Sequence, residues 1–164
     1  DGKYQIDKGN KVIGIDLGVV SFLTDNEGNK ISSPLYYKQS LVKLKKLQQA
    51  FSRKKKGSKN RIKARIQVAK LYEHITQQRD DFLHKITKRL VNDCKFIGVE
   101  NLDIKQLHII SWNARNMNDC SWGKFLHLLD FKAESAGCQL VKVNPKDTTK
   151  KCSGCGKKTR YAIT

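Results

Sequence analysis

Acid is what this sequence most conspicuously lacks. Fifteen Asp and Glu stand against 33 Lys and Arg, a net charge of +18 over 164 residues. Between Lys38 and Lys70 there are 13 Lys/Arg and no carboxylate at all. A small domain usually carries a charge of magnitude roughly 2–8, so this excess repels itself and calls for a polyanionic partner, nucleic acid first and an anionic membrane surface second. The sequence also lacks any apolar run near the roughly 20 residues a membrane span needs, and it has no signal-peptide pattern at its start. It lacks an even cysteine set as well: Cys94, Cys120, Cys138, Cys152 and Cys155 number five, and only the last two are close together. That argues against the disulfide framework of a short secreted chain and fits a reducing compartment. The expectation is a soluble, cytoplasmic, nucleoid-associated protein with no membrane contact. The chain opens on Asp1 and closes just after a cysteine motif, and is expected to be a piece or a truncated copy of something longer.

What is present divides by hydrophobic period. Residues 3–33 read as strands: Lys11–Asp16 (KVIGID) is short, β-branched and ends in an acid, Val19–Thr24 follows a turn at Gly18, and the cluster Asp25–Gly28 turns the chain into a return strand. From about residue 37 to 94 the period becomes helical. Leu41, Leu44, Leu47 and Phe51 recur every three or four residues, a polar break follows, and Ile62, Ile66, Ala69, Ile75, Phe82, Ile86 and Leu90 mark one side of a long helix over about 61–92. Two helices with a short polar connection predict an antiparallel hairpin. Lys95–Glu100 (KFIGVE) is a further strand ending in an acid, and 101–117 reads as a polar loop holding Trp112. Ser121 is the expected N-cap of a helix over 122–136, with Phe125, Leu128, Leu129 and Phe131 as its apolar positions and Gly137 as its stop. Cys138–Val143 is the last strand. Three strands, a helical insertion, a strand, a helix and a strand predict a mixed sheet flanked by helices, an α/β layer architecture. Free cysteines are commonly buried as small hydrophobes, the expectation for Cys94, Cys120 and Cys138.

Three groups of residues carry chemistry. Asp16 and Glu100 each end a Gly–hydrophobe–acid strand, and if those strands are neighbours the two carboxylates emerge together. A divalent cation between them relieves their repulsion. Mg²⁺, or Mn²⁺ in its place, takes carboxylates, water and phosphate oxygens, and two such ions about 3.5–4 Å apart clamp an in-line phosphodiester displacement. The competing reading is that each acid merely caps a strand and faces water. The second group is Arg53, Lys54, Lys55, Lys56, Lys59, Arg61, Lys63 and Arg65, crowded at the hairpin tip. They would contact phosphate backbone and shape, with steep salt dependence and no base reading; the competing reading is a solvated helical face. Third, Cys152–Cys155 has zinc-knuckle spacing, but structural Zn²⁺ wants four ligands and only two are here. A redox motif is the alternative, without the βαβ context that would favour it.

Gly14–Val19 (GIDLGV), Arg79–Lys88 (RDDFLHKITK), Gly98–Leu102 (GVENL) and the run from Val143-Asn-Pro to Cys152-Ser-Gly-Cys-Gly156 resemble, in order and spacing, the TnpB (OrfB) family of transposon-encoded relatives of type V CRISPR effector nucleases. The resemblance runs from about residue 11 to 158. It implies a ribonuclease H-like (RuvC) core over 1–143 with the helical-hairpin insertion at about 37–94, and the first half of a zinc ribbon over 144–164. It also implies RNA-guided cleavage of DNA, with guide RNA and DNA as partners, and sequence reading delegated to base pairing. Asp16 matches the first catalytic acid, expected to bridge the metals, and Glu100 the second, expected to hold one. The family's second cysteine knuckle and third acid are absent from this sequence, so the piece alone is expected to be inactive or feeble. The alternatives are a non-catalytic nucleic-acid-binding remnant or regulatory module of a transposon protein, or an assembly subunit of a larger nucleoprotein.

Overall fold

The structure is a computed structural model and describes residues 11–103 and 118–144. The expectations for residues 3–10, for Trp112 and most of its loop, and for the Cys152–Cys155 knuckle lie outside the described residues. Along the chain run β1 (Val12–Leu17), β2 (Ser21–Asp25), β3 (Lys30–Ser32), α1 (Tyr36–Ser52), α2 (Lys59–Asp93), β4 (Phe96–Glu100), α3 (Trp122–Ala136) and β5 (Gln139–Val143). This is the expected order of elements.

The strands form one mixed sheet in the order β3-β2-β1-β4-β5. β2 is antiparallel to β1, and β4 is parallel to it, with Gly14 opposite Gly98 and Ile15 opposite Val99. β5 continues the parallel side. Alternation decides which face is covered: Ile13, Ile15 and Leu17 of β1 and Ile97 and Val99 of β4 are buried. The intervening residues face the other way, since successive side chains of a strand point to opposite faces. Under the buried face lie the second half of α2, through Leu83, Ile86, Leu90 and Val91, and α3, through Trp122, Phe125, Leu129 and Ala133. Phe22 joins the layers, with edge-to-face contacts to Phe82 and Phe125, each at 5.1 Å between ring centroids. Cys94, Cys120 and Cys138 are buried in this core, as expected of small hydrophobes.

Tight spots have local causes. A Cβ on Gly18 would lie 2.8 Å from the Ser21 carbonyl, so only glycine fits the β1–β2 turn. Gly137 closes α3 at φ 67°, a left-handed conformation that glycine adopts without a Cβ clash. Ser121, the expected side-chain cap, does not act as one. Its φ is 54° and its hydroxyl donates to the Asn118 carbonyl instead of accepting from the helix. Phe131 is also not a core position, being 64% exposed; α3 is covered on one side only.

α1 and the first half of α2 form the expected hairpin. α2 has 35 residues, about 50 Å at 1.5 Å per residue, so one continuous helix serves both hairpin and sheet. The hairpin has its own small core of Leu44, Leu71 and Ile75, flanked by Tyr36, Tyr37, Leu47 and Val68. In this half the apolar side expected for α2 is right only at Ile75. Ile62 and Ile66 are 50% and 43% exposed, and Ala69 is exposed too. α1 packs instead on the stripe through Val68, Leu71 and Ile75.

At the hairpin's base a single carboxylate fastens α1 to the sheet domain. Leu35, before α1, is left-handed at φ 46° and gives no side-chain cap. The cap comes from Asp119, whose oxygens accept the backbone N–H of Tyr37 at 3.0 Å and Lys38 at 3.1 Å. Arg79 of α2 donates to the same carboxylate at 3.0 Å, and the Asp119 side chain is 1% exposed. Asp80 pairs with Lys124 at 2.6 Å. Lys132 donates to the His84 carbonyl and to the Thr87 hydroxyl, each at 2.8 Å. The Arg79–Lys88 motif thus braces α2 against α3 and the segment before it.

Candidate active site and nucleic-acid interface

Asp16 and Glu100 come from strands far apart in sequence that the sheet makes neighbours. Their predecessors Ile15 and Val99 are register partners in a parallel ladder. The two acids therefore follow at the same level, on strands about 4.8 Å apart. Both leave the face opposite the buried one, where Asp16 is exposed and Glu100 half-buried. They line one shallow hollow of about 310 Å³ with Gly14, Gly98, Thr24 and Val143 among its walls. Asp25 also borders it, but its oxygens are taken up by the β2–β3 turn, accepting from the Glu27 and Asn29 backbone and the Asn29 amide. Those bonds, the Asn29 side chain foremost, hold the Asp25 pKa below its ordinary 3.8.

The donor set is two carboxylates without thiol or imidazole, hard oxygen ligands of the kind that suit Mg²⁺ or Mn²⁺. Among the described residues no group of three or more His, Cys, Asp or Glu side chains converges. A pair of this kind can supply only part of a cation's coordination sphere, the rest coming from water or further oxygen ligands.

The basic residues assemble at the hairpin tip as their spacing predicts. Arg53, Lys54, Lys55, Lys56, Lys59, Lys63 and Arg65 are all exposed. Arg61 differs. Its guanidinium lies 4.2 Å from the Phe51 ring centroid and donates to the Lys54 carbonyl at 2.9 Å and, more weakly, to the Phe51 carbonyl at 3.4 Å. It ties the end of α1, whose last carbonyls have no helical partner, to the start of α2. Its fork is engaged within the hairpin. Sequence reading missed Asp119; its backbone partners are 81 and 82 residues away and Arg79 is 40 away, distances at which no local pattern gives a signal.

Comparison with solved structures shows the fold first. The fold is that of an α/β domain found in Cas12f: a cryo-EM structure of a CRISPR-Cas12f ternary complex matches 95% of this chain and 33% of its own, with a TM-score of 0.68 and 24% identity. A Cas12f1–sgRNA–target DNA complex matches 93% of this chain with a TM-score of 0.56 and 22% identity. The family follows from sequence. Residues 4–110 match the OrfB_IS605 model, described as "Probable transposase", and the chain belongs to that family, in agreement with the TnpB (OrfB) motifs. Residues 122–163 match the TNB domain of Cas12f1-like proteins.

Among curated relatives, a "Putative RNA-guided DNA endonuclease" of Streptomyces pristinaespiralis is 37% identical over 145 residues, which is 88% of this chain and 36% of the relative. The Cas12f1 endodeoxyribonuclease of Sulfoacidibacillus thermotolerans is 24% identical over 158 residues, 90% of this chain and 37% of the relative. The chain thus spans little more than a third of the length of these relatives. Among the described residues no helix is long and apolar enough to cross a membrane.

Proposed function

We propose that this chain carries the RuvC-type nuclease core, of ribonuclease H-like fold, of a TnpB-like RNA-guided DNA endonuclease. The observation that carries the reading is the meeting of Asp16 and Glu100: adjacent parallel strands, matching level, one face, one hollow. Asp16 and Glu100 would hold Mg²⁺ or Mn²⁺, which when bound supplies a nucleophilic water and neutralises charge on the scissile phosphate. The acids' role is to fix oxygen ligands on the open face of the sheet, where the register of two interior strands rather than loop conformation sets their spacing. The exposed cations of the hairpin tip hold a guide RNA–target DNA duplex by its backbone. Cys152 and Cys155 belong to a zinc ribbon of which this sequence contains half the ligands, so Zn²⁺ needs donors from elsewhere.

One observation favours a second reading: two carboxylates, not three, converge among the described residues. A chain so equipped binds nucleic acid and cuts feebly or not at all, which is the behaviour of a non-catalytic remnant or regulatory module. Both readings meet one experiment, a Mn²⁺ titration followed by electron paramagnetic resonance together with cleavage of labelled DNA. The nuclease-core reading expects Mn²⁺ binding that Asp16→Asn and Glu100→Gln each weaken by at least about tenfold. Binding that ignores both substitutions removes the site. Mn²⁺ binding without any cleavage, even in a longer protein carrying the same core, assigns the chain to the second reading.

A further inference from the structure

The hollow around the acids has a wall that the carboxylate pair does not explain. Thr24 of β2 is the register partner of Asp16 in an antiparallel ladder. Directly opposed residues of such a ladder leave the sheet on the same face, with Cβ atoms about 4.5–5.5 Å apart. Thr24 and Asp16 line the same hollow, with Glu100 on the far side of Asp16. Its neighbours Phe22 and Leu23 are buried in the core, and the Asp25 carboxylate is taken up by its own turn, so Thr24 is the β2 side chain left to act in this space. The placement is rigid. Asn26 accepts the Gly14 N–H on its side-chain oxygen at 2.9 Å and returns its own N–H to the Gly14 carbonyl at 3.0 Å, locking the end of β2 to β1 two residues before Asp16.

The floor is bare. Gly14 and Gly98 sit side by side in register. A Cβ added to Gly14 would meet nothing within 4 Å, and one added to Gly98 would meet only backbone at 3.8 Å or beyond. Neither residue is needed to relieve crowding among the described residues, and their effect is to let a large group approach the sheet beside the acids. The lining has a chemical gap too. Among the described residues no Lys or Arg borders the hollow, so an anionic phosphate drawn in beside bound cations finds few hydrogen-bond donors on these walls. The Thr24 hydroxyl is one, with the Asn26 amide, and it makes no hydrogen bond among the described residues.

We infer that Thr24 is a substrate-contacting residue: its hydroxyl donates a hydrogen bond to a non-bridging phosphate oxygen of the strand that Asp16 and Glu100 address, which therefore crosses the sheet from the β2 side over Gly14 and Gly98. The inference rests on the carboxylate pair acting as a divalent-cation site. The alternative is that Thr24 is there only as a β-branched strand former, and Thr24→Val separates the two because it keeps shape and strand preference while losing the hydroxyl.

The test measures Mn²⁺ binding by electron paramagnetic resonance, and the Ca²⁺-dependent part of the affinity for a short single-stranded DNA, in wild type, Thr24→Val, Thr24→Ser and Asp16→Asn. Thr24→Val is expected to leave Mn²⁺ affinity within about twofold and to weaken the Ca²⁺-dependent DNA affinity by about tenfold, the loss of one hydrogen bond to a charged acceptor. Thr24→Ser is expected to restore most of it. Wild-type DNA affinity in Thr24→Val, with Mn²⁺ binding intact, overturns the inference alone. Mn²⁺ binding that is absent, or indifferent to Asp16→Asn, overturns the cation site and the inference with it.

Discussion

The hairpin arm and the sheet domain share one helix yet are held together by opposite means. Around the sheet, α2 contributes Leu83, Ile86, Leu90 and Val91 to a continuous core with Phe22, Phe125 and Leu129. In the arm the same helix buries only Leu71 and Ile75, against Leu44 of α1. Charge follows the same division. The sheet domain pairs its cations: Lys11 with Glu27, Arg79 with Asp119, Lys85 with Asp81, Arg89 with Asp93, Lys124 with Asp80 and Lys142 with Asp130. None of these pairs includes a residue of the acid-free stretch 38–70. The arm is therefore a cantilever: a thin apolar seam, a crowd of uncompensated cations at the tip, and an anchor at Asp119. Such a part gains little from its own packing, and its charge becomes favourable when a polyanion lies against it.

The sharpest way to break this contrast is at the anchor. Asp119→Ala removes one partner of a buried ion pair and the cap of α1. It is expected to cost about 3–5 kcal/mol, read by urea unfolding, with hydrogen exchange rising first at the Tyr37 and Lys38 amides. Equal loss of protection throughout the sheet would show that arm and sheet form one cooperative unit. Next in size, replacing Arg53, Lys54, Lys55 and Lys56 together by Gln should reduce the slope of log affinity for DNA against log salt by about 3–4 while leaving thermal unfolding of the sheet unchanged. An unmoved slope would place the nucleic-acid surface elsewhere.

The smallest effect belongs to the sheet's own turn. The folded pKa of Asp25 lies below 3.8, so its stabilising bonds are fully present above that value and are lost as pH falls through the folded pKa. Asp25→Asn should lower the melting temperature slightly at and above about pH 4, where the ionised carboxylate makes these bonds, with the difference from wild type vanishing as pH falls through the folded pKa. A difference that persists unchanged into strong acid would show that the carboxylate's charge is not what holds the turn.

Where the sequence could be read locally, the structure agrees with it. Glu100 closes β4 and Asp16 is the last but one residue of β1, Gly137 stops α3, and Phe125 is core. It disagrees where a partner decides. Ile62, Ile66 and Ala69 have helical spacing and read as a buried stripe. α1 nevertheless settles on the face through Val68, Leu71 and Ile75, helped by Arg61 stacking on Phe51 at the tip. Phe131 has core spacing but no element covers it. Ser121 has a capping side chain in a backbone conformation that does not cap.

The sequence by itself determined the alternation of strands and helices, the positive charge of the arm and the identity of the two acids, because periodicity and charge are properties of neighbouring residues. Tertiary structure decided that Asp16 and Glu100 share a level, that Thr24 joins them, and that Asp119 rather than Leu35 or a neighbour caps α1. Those outcomes depend on β1 pairing in parallel with a strand some 80 residues later, and the free energy that selects that register is burial of both strands against α2 and α3, which exists only once the whole sheet has formed.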